Sequence, residues 1–282
     1  EADRMLDMGF AIDMHAIVDT CSAQRQSLLF SATLGHKGLA QIQSTFTDPL
    51  SIEVDSQREQ HSHITQQLIL ADDIKHKEKL VDALITQEQA KKVFVFCNTR
   101  KQCEQLSHFL RYKKFKVNFI HGEISQNDRK QVMNQFRQGG VEILVATDLA
   151  ARGLDIEGVD LVINFAIAQS GDDHVHRIGR TGRAGQAGLA VTLVDGNEWN
   201  QMSSIERYLK IQFERRVIKD LKASYTGPKK LKKSGKVVGK KKKSDSQKSA
   251  AKKATAKKPA RAADGKLKPA SGDGFDVMRK KK

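Results

Sequence analysis

Cysteine is scarce in this sequence, and its scarcity narrows the class of protein. Only three cysteines occur in 282 residues, at Cys21, Cys97 and Cys103, and their spacing is not that of metal ligands. Cysteines in this pattern indicate reduced thiols rather than a disulfide or zinc framework. We therefore expect a cytoplasmic protein.

Long apolar runs and a leader segment are also absent. No stretch reaches the ~18 apolar residues that a membrane-spanning helix needs, and no signal peptide opens the chain. These absences predict a protein without membrane contact. The chain does not begin with methionine but with Glu1-Ala2-Asp3, which indicates a fragment whose upstream part is missing.

Positive charge is abundant but concentrated at one end. The net charge is +16, yet residues 227–282 hold 21 Lys and Arg against 4 Asp and Glu, while the rest of the chain holds 28 against 29. The body is therefore nearly neutral. From residue 226 onward the apolar pattern gives way to Lys, Ala, Ser and Gly, a composition that cannot offset the chain entropy lost on folding. We predict a disordered Lys-rich tail at 226–282.

Two α/β segments precede the tail. Residues 1–55 end a first α/β domain, residues 56–63 are polar and aperiodic and predict a linker, and a second domain occupies residues 64–225. In the first segment we predict a helix at 4–20, a buried strand at 27–30, a helix at 34–46 and a strand at 50–54.

Strand and helix patterns alternate regularly along the second domain. Such alternation predicts a parallel sheet covered by helices on both faces, with ligands at the carboxyl ends of its strands. The predicted strands are 64–71, 92–97, 117–121, 142–146, 161–165 and 189–194, and the predicted helices are 76–87, 101–111, 126–137, 173–180 and 198–209. Candidate residues that follow strand ends are Asn98, Thr99, His121, Gly122, Thr147 and Asp148.

A basic stretch, HRIGRTGR at 176–183, is the strongest local signal. Arg177, Arg180 and Arg183 recur at threes, which would place them near one face of a helix, and the glycines between them allow a ligand to approach closely. This pattern predicts a phosphate-facing site. A solvated basic helix face is the alternative, but it leaves unexplained two glycines that each cost up to ~1 kcal/mol in a helix.

Six motifs now occur in a characteristic order. They are EAD at 1–3, SAT at 31–33, VFCNT at 95–99, QNDR at 126–129, ATDLAARGLD at 146–155 and HRIGRTGR at 176–183. Together they resemble the DEAD-box RNA helicases, in which two RecA-like domains close on ATP and single-stranded RNA. The resemblance covers about residues 1–209 and implies a RecA-like second domain. The SGDD segment before the basic stretch, together with the basic tail, resembles bacterial members tied to ribosome assembly.

The resemblance implies roles in ATP hydrolysis. Glu1 matches the carboxylate that orients the attacking water, while the preceding Asp that helps to hold Mg²⁺ in the family is not in this chain. Arg180 and Arg183 match the arginine fingers that reach the γ-phosphate, a role worth ~10³–10⁵ in rate in related enzymes. The alternative for both arginines is a surface ion pair, worth at most ~1 kcal/mol.

Nucleotide contact and domain coupling follow from the same resemblance. Asp155 matches the contact to the ribose, and Gly153 would allow its close approach; the alternative for Asp155 is a helix-cap or turn carboxylate. His176 would couple the nucleotide to domain closure, although a histidine outside such a motif is more often a satisfied core residue. The other residues implied in coupling are Asp3, Ser31 and Thr33.

The resemblance also implies RNA contacts. In the family these contacts run mainly along the sugar-phosphate backbone, which makes binding independent of the RNA sequence. The positions implied to contact RNA are Thr99, Gly122, Arg129, Thr147 and Asp148. Thr and Gly after strand ends can equally form caps and turns, whereas the Arg129 guanidinium can grip a phosphate with two hydrogen bonds.

One segment departs from the family pattern. The family commonly has Pro and an aromatic residue before the basic stretch, but residues 165–175 read FAIAQSGDDHV. His174 stands where the aromatic contact is usual, so we expect a differently shaped loop with altered adenine-side or inter-domain contacts. A Rossmann dinucleotide site is the competing interpretation, and it is disfavoured because Gly179, Gly182 and Gly185 are spaced G-x-x-G-x-x-G rather than G-x-G-x-x-G.

The sequence thus predicts an ATP-dependent RNA helicase that unwinds short duplexes in ribosome assembly or RNA remodelling, with ATP and Mg²⁺ as cofactors. RNA and ribosomal precursor particles are the expected partners, and the fragment alone should hydrolyse ATP poorly. The lysines at 240–243 would release counterions on binding RNA, unless the tail only aids solubility. Two alternatives stay open: a non-catalytic RNA-binding module, and a DNA helicase of the same superfamily.

Overall fold

The computed structural model describes residues 2–31, 42, 44–52, 63–154, 156, 158–182, 187–228 and 235. The chain divides into two compact units, Glu1–Val238 and Gly239–Lys282, and the second unit lies outside the described residues. Most of the predicted tail, and most of the predicted linker at 56–63, therefore lie outside them as well. No helix in the described ranges is long and apolar enough to cross a membrane.

The N-terminal segment differs from its predicted pattern. The helix predicted at 4–20 is two helices, α1 (Ala2–Asp7) and α2 (Ala11–Thr20), because Gly9 between them adopts φ +84°, a conformation that ends a helix. The strand predicted at 27–30 is wrong: Leu28 and Phe30 are 69% and 76% exposed and belong to no sheet. No described strand lies beside this segment to pair with it. The helix predicted at 34–46 falls mostly outside the described residues.

A parallel sheet forms the second domain, as predicted. In the described residues seven strands follow the order β3-β4-β2-β5-β6-β1-β7, and every pairing is parallel. The strands are β1 (Ile64–Leu70), β2 (Val93–Cys97), β3 (Val117–Ile120), β4 (Ile143–Thr147), β5 (Leu161–Asn164), β6 (Gly188–Val194) and β7 (Glu214–Arg215). The two-residue β7 was not predicted.

Helices connect these strands, and four of the described helices begin at a polar side-chain cap. The six helices described in this domain are α3 (Ile74–Glu88), α4 (Arg100–Tyr112), α5 (Gln126–Arg137), α6 (Asp148–Ala151), α7 (Gly171–Ile178) and α8 (Trp199–Leu209). Asp73, Thr99, Ser125 and Ser170 each accept a backbone N–H of the first turn, which satisfies a donor that the helix itself cannot. Because Ser170 is the cap, α7 begins two residues earlier than predicted.

The apolar core lies on both faces of the sheet. Alternate residues of a strand point to opposite faces, so Phe94 and Phe96 join one cluster with Phe136 of α5. Val95 joins the other cluster, with Leu80 of α3. All five side chains are at most 2% exposed, and full burial of such groups contributes about 1.5–3 kcal/mol each. The prediction of helices on both faces is confirmed.

The chain after α8 packs against the second domain. Asp72 accepts the backbone N–H groups of Ser224 and Tyr225 at 2.9 and 2.7 Å. A Cβ placed on Gly227 would contact the Trp199 ring at 3.4 Å, so ordered packing continues past residue 225. The domain boundaries at 55, 63 and 225 stay predictions.

Candidate functional site

Several strand ends converge at one edge of the sheet. Registers pair Phe96 of β2 with Ala146 of β4 and with Asn164 of β5, so the residues that follow these strands are neighbours. Asn98 follows β2, and Asp148 follows β4 as the first residue of α6. The residues predicted to follow these strand ends therefore lie at one edge of the sheet, and ligand binding there stays a prediction.

Arg177 is buried, and its side chain forms hydrogen bonds to residues that follow these strand ends. Its side chain is 1% exposed, and its Nε and Nη2 donate to Oδ1 and Oδ2 of Asp148 at 2.6 and 2.7 Å. Nη2 also donates to Asn98 Oδ1 at 2.9 Å, and Nη1 donates to the carbonyl oxygen of Ala166 at 2.5 Å. The guanidinium carbon lies 5.2 Å from the centre of the Phe96 ring. Arg177 is therefore a structural cation at the end of the sheet.

The buried position of Arg177 contradicts the prediction that Arg177, Arg180 and Arg183 lie near one helix face and point towards a phosphate. Helix α7 ends at Ile178, and Gly179 is its C-cap, so the threefold spacing does not continue along a helical face. Arg177 points inward to Asp148, whereas Arg180 lies beyond the helix end. Arg183 lies outside the described residues, as does Glu1.

A second ion pair binds the same two helices. Arg152, the C-cap of α6, donates from Nη2 to Asp173 Oδ1 of α7 at 2.8 Å, and each side chain is 17% exposed. Residues four apart share one helix face, and each helical segment carries an Asp and an Arg at that spacing. Helices α6 and α7 are thus clamped at both ends, by Asp148 with Arg177 and by Arg152 with Asp173. The sequence prediction missed this second pair, although the two Asp-x-x-x-Arg spacings signal it.

Arg180 lines a small pocket that both ion pairs of this clamp also line. Its Nη1 donates to the carbonyl oxygen of Leu154 at 2.9 Å. The pocket has a volume of about 20 Å³, which suits a water molecule rather than a nucleotide. Its lining combines guanidinium groups, an imidazole and two carboxylates, from Phe96, Asp148, Ala151, Arg152, Asp173, His176, Arg177 and Arg180. Because Arg177 and Arg152 already pair with Asp148 and Asp173, the predicted phosphate contact concerns Arg180, and it stays a prediction.

Gly153 has the open geometry that a ligand needs. Its φ is +63°, and a Cβ placed there would meet no heavy atom within 4 Å. The positive φ explains the glycine, and the open space agrees with close approach of a ligand. Asp155, the predicted ribose contact, lies outside the described residues.

Four of the five predicted RNA contacts lie at or just past the carboxyl ends of β2, β3 and β4. Thr99 is exposed and accepts the backbone N–H of Gln102 at 3.2 Å, which confirms the alternative that it caps a helix; its hydroxyl hydrogen remains available to a phosphate. Gly122 is exposed with open space around it, and Thr147 ends β4. Both carboxylate oxygens of Asp148 accept hydrogen bonds from Arg177. Contact with RNA stays a prediction for all of them.

Arg129, the fifth predicted RNA contact, lies on α5 and binds main-chain carbonyl groups. Its Nη2 donates to the carbonyl oxygens of Ala150 and Arg152 at 2.5 and 3.1 Å. Helices leave their last carbonyl groups without partners, and Arg129 supplies partners at the end of α6. The predicted contact between Arg129 and a phosphate would have to form while these two hydrogen bonds are kept.

The residues predicted to couple the domains are only partly described. Asp3 is 4% exposed, and its backbone N–H donates to Ser31 Oγ at 3.4 Å, so these two residues are adjacent. His176 is partly buried and lines the pocket. Thr33 lies outside the described residues. The coupling role stays a prediction.

His174 does not replace an aromatic ligand contact. It is 1% exposed, its Nε2 lies 3.0 Å from Gln66 Oε1, and its ring centre lies 5.2 Å from that of Phe213. It is therefore a core residue, which corrects the expectation that it alters contacts to adenine or the other domain.

The unusual loop before α7 is held by side chains that the sequence prediction missed. Lys77, 3% exposed, donates to Glu198 Oε2 at 2.5 Å and to the carbonyl oxygen of Phe165 at 3.0 Å. Glu198 Oε1 accepts the backbone N–H of Ile167 at 3.3 Å, and Asn98 Nδ2 donates to the carbonyl oxygen of Ile167 at 3.0 Å. These bonds fix the loop without the usual proline.

The cysteines are free in the structure. Cys97 and Cys103 are buried and Cys21 is exposed. Burial raises the pKa of the Cys97 thiol well above its ordinary value, and the neighbouring Cys103 adds to the increase. Cys97 is therefore an unreactive core thiol.

Comparison with known proteins gives one consistent result. Residues 75–185 match the helicase conserved C-terminal domain. The chain is 35% identical over 229 residues to the ATP-dependent RNA helicase SrmB of Escherichia coli K12, covering 81% of this chain and 52% of SrmB. The chain thus spans about half the length of the curated relatives it matches.

Solved structures give the same family. A crystal structure of the E. coli DEAD-box protein SrmB, bound to regulator of ribonuclease activity A, has 36% identity and a TM-score of 0.57 and covers 59% of this chain and 98% of that one. The structure of Saccharomyces cerevisiae Dbp5 bound to RNA and ADP BeF3 has 27% identity and a TM-score of 0.69, covering 77% of this chain and 57% of that one.

Proposed function

This chain belongs to the DEAD-box ATP-dependent RNA helicases of superfamily 2, and on that premise we propose that the protein uses ATP to separate short RNA duplexes. The observation that carries the proposal is the clamp between α6 and α7. It joins Thr147 and Asp148, predicted to face RNA, to the helix that leads to Arg180, predicted to face ATP.

The proposed nucleotide site combines the Arg180 guanidinium with the open backbone at Gly153. When bound, ATP supplies the phosphoanhydride whose hydrolysis resets the enzyme. The Arg180 guanidinium would stabilise charge on the transferring phosphoryl group, together with Arg183. Gly153 would let the chain approach the ribose beside Asp155, and Glu1 would orient water. Mg²⁺ is part of the proposal, but no described residues form a group suited to hold a metal ion.

The proposed RNA site lies along the adjacent strand ends. Thr99, Gly122, Arg129 and Thr147 would contact the sugar-phosphate backbone, and such contacts would make binding independent of RNA sequence. The likeness to Dbp5 bound to RNA and ADP BeF3 supports this placement. Closure of two domains on one strand would bend it and separate it from its complement.

We place the activity in RNA remodelling during ribosome assembly. Residues 227–282, with 21 Lys and Arg against 4 Asp and Glu, support this setting because such a tail would hold the enzyme near structured ribosomal RNA. Ribosomal precursor particles are then the natural partners. The similarity to SrmB supports a bacterial helicase of this kind.

Strand separation by the full-length protein tests the proposal. We expect ATP, but not a non-hydrolysable analogue, to support repeated release of a labelled strand from a short RNA duplex. A duplex of DNA with the same sequence should remain paired. RNA binding without ATP-dependent release would instead favour the non-catalytic RNA-binding module, and equal release of DNA would favour a DNA helicase.

A further inference from the structure

Two ion pairs join the beginning of α4 to the turn that follows β3. Arg100 Nη1 pairs with Glu123 Oε1, and Glu104 Oε1 lies 3.2 Å from His121 Nε2. Arg100 and Glu104 are four residues apart, so their side chains lie on one face of α4. Gly122, a predicted RNA contact, stands between the two paired residues of the turn. This face of α4 therefore lies against part of the proposed RNA site.

The pair between Arg100 and Glu123 is exposed and easily exchanged. Its two side chains are 53% and 68% exposed, and an exposed ion pair changes an equilibrium constant by at most about fivefold. Arg100 directly follows Thr99, the N-cap of α4, and Glu123 directly follows Gly122. The guanidinium thus lies between two predicted RNA contacts and can be reached from solvent.

The Glu123 carboxylate opposes phosphate binding at this turn, because like charges repel. In the structure its charge is neutralised by Arg100. A phosphate oxyanion also carries negative charge, and it accepts the same two-point hydrogen bonds from a guanidinium as a carboxylate does. RNA at this edge can therefore replace Glu123 as the partner of Arg100, while the exposed Glu123 side chain turns into solvent.

We propose that Arg100 is a further RNA-binding residue and that Glu123 competes with the RNA phosphate for it. The inference rests on the proposed RNA site at the strand ends. When the sugar-phosphate backbone contacts Thr99 and Gly122, Arg100 exchanges Glu123 for a phosphate. Because the exchange breaks the ion pair, a polyanion that misses the neighbouring contacts gains little from Arg100. Glu123 thereby favours RNA that lies along the edge over other polyanions.

Fluorescence anisotropy with the 282-residue chain and labelled single-stranded oligouridylate, over a range of salt concentrations, tests the exchange. Arg100→Gln should weaken RNA binding. Glu123→Gln should tighten it, because Arg100 then has no competing partner. In the presence of Glu123→Gln, the loss of Arg100 should flatten the slope of log affinity against log salt by about 0.7, the value for one contact to a single-stranded phosphate.

The double variant separates competition from general repulsion. Removal of a carboxylate weakens the repulsion of RNA whether or not Arg100 is present, whereas competition requires Arg100. Glu123→Gln should therefore tighten binding more in the parent chain than in Arg100→Gln, by a factor of up to about five. Equal tightening in the two backgrounds would show that Glu123 only repels RNA, and it would overturn the proposal.

The exposed pair of Lys116 and Glu142 supplies the matched control. Its side chains are 63% and 41% exposed, and its atoms lie 2.9 Å apart, but it lies at the amino ends of β3 and β4. Glu142→Gln also releases a cation, and it should leave RNA binding near that of the parent chain. If it tightens binding as much as Glu123→Gln does, any released cation suffices and the proposal is overturned.

The outcomes distinguish this inference from the proposed function. Arg100→Gln that binds RNA as tightly as the parent chain overturns the role of Arg100 alone, and strand release by the full-length protein still decides the proposed function. Absence of RNA binding by the parent chain overturns both. The Lys-rich tail is present in every variant, so differences between the variants report on the edge. All substituted side chains are exposed, and thermal unfolding should show that each variant folds like the parent chain.

Discussion

Both carboxylate oxygens of Asp148 are bound by the guanidinium of Arg177, at 2.6 and 2.7 Å from Nε and Nη2. Asp148 follows β4, where RNA contacts are predicted, and Arg177 lies in α7 just before Arg180. The two proposed binding regions therefore share a two-point ion pair.

Removal of Arg177 should destabilise the domain strongly. Arg177→Ala leaves Asp148 without its partner, and loss of one member of a buried pair typically costs about 3–5 kcal/mol. Urea unfolding measures the change. Lys116→Ala is the control, because its ion pair with Glu142 is 63% and 41% exposed and should contribute at most about 1 kcal/mol. Equal effects of the two substitutions would show that the Arg177 pair is not structural.

A methyl group at Gly188 should disturb the segment after α7. A Cβ there would lie 2.6 Å from the backbone nitrogen of Gly182 and 2.8 Å from Thr181 Oγ1. Gly188→Ala should therefore lower the free energy of unfolding by about 1–3 kcal/mol. Gly122→Ala, where a Cβ meets no atom within 4 Å, should have little effect. A Gly188→Ala protein as stable as Gly122→Ala would contradict the close packing.

Tyr208 should titrate above the ordinary range of a tyrosine. Partial burial and the hydrogen bond from its hydroxyl to Asp172 raise its pKa from 10.0 to about 12. Because the folded-state pKa is raised, the stabilisation is complete below about pH 10 and is lost as the pH rises through about 12. Ultraviolet titration of the parent chain and Tyr208→Phe measures this difference. If the tyrosine that is missing from the titration of Tyr208→Phe ionises near pH 10, the prediction is contradicted.

The Lys-rich tail should dominate the salt dependence of RNA binding. Removal of Gly239–Lys282 spares Gly227 and Gly235, which pack near Trp199 and Ser203. Each lysine contact with a single-stranded phosphate adds about 0.7 to the slope of log affinity against log salt. Fluorescence anisotropy should show weaker binding with a flatter slope. An unchanged slope would favour a tail that serves only solubility.

Local patterns were sufficient to predict much of the fold. Strand and helix periods, with polar caps such as Thr99 and Ser125, are set by neighbouring residues, so the alternation and the binding edge were predicted. Helix α6 was missed because four residues are too few to show a period. The strand predicted at 27–30 failed because a strand depends on a partner that local sequence does not specify.

Long-range pairing explains what the sequence could not predict about the site. The basic stretch indicated an anion for Arg177, but the anion is Asp148, 29 residues away in the sequence. Lys77 and Glu198 are 121 residues apart, so their pairing has no local signal. By contrast, the opposed Asp-x-x-x-Arg spacings around Arg152 and Asp173 were visible and could have predicted the second ion pair.

RNA-stimulated ATP hydrolysis by the full-length protein tests the central claim most directly. Arg180→Ala should reduce the RNA-stimulated rate about 1,000-fold or more, as expected for an arginine finger, while RNA affinity without nucleotide is mostly kept. Arg207→Ala, an exposed arginine that bonds only within α8 in the described structure, should retain the parent rate. Turnover by Arg180→Ala at the rate of Arg207→Ala would contradict the account.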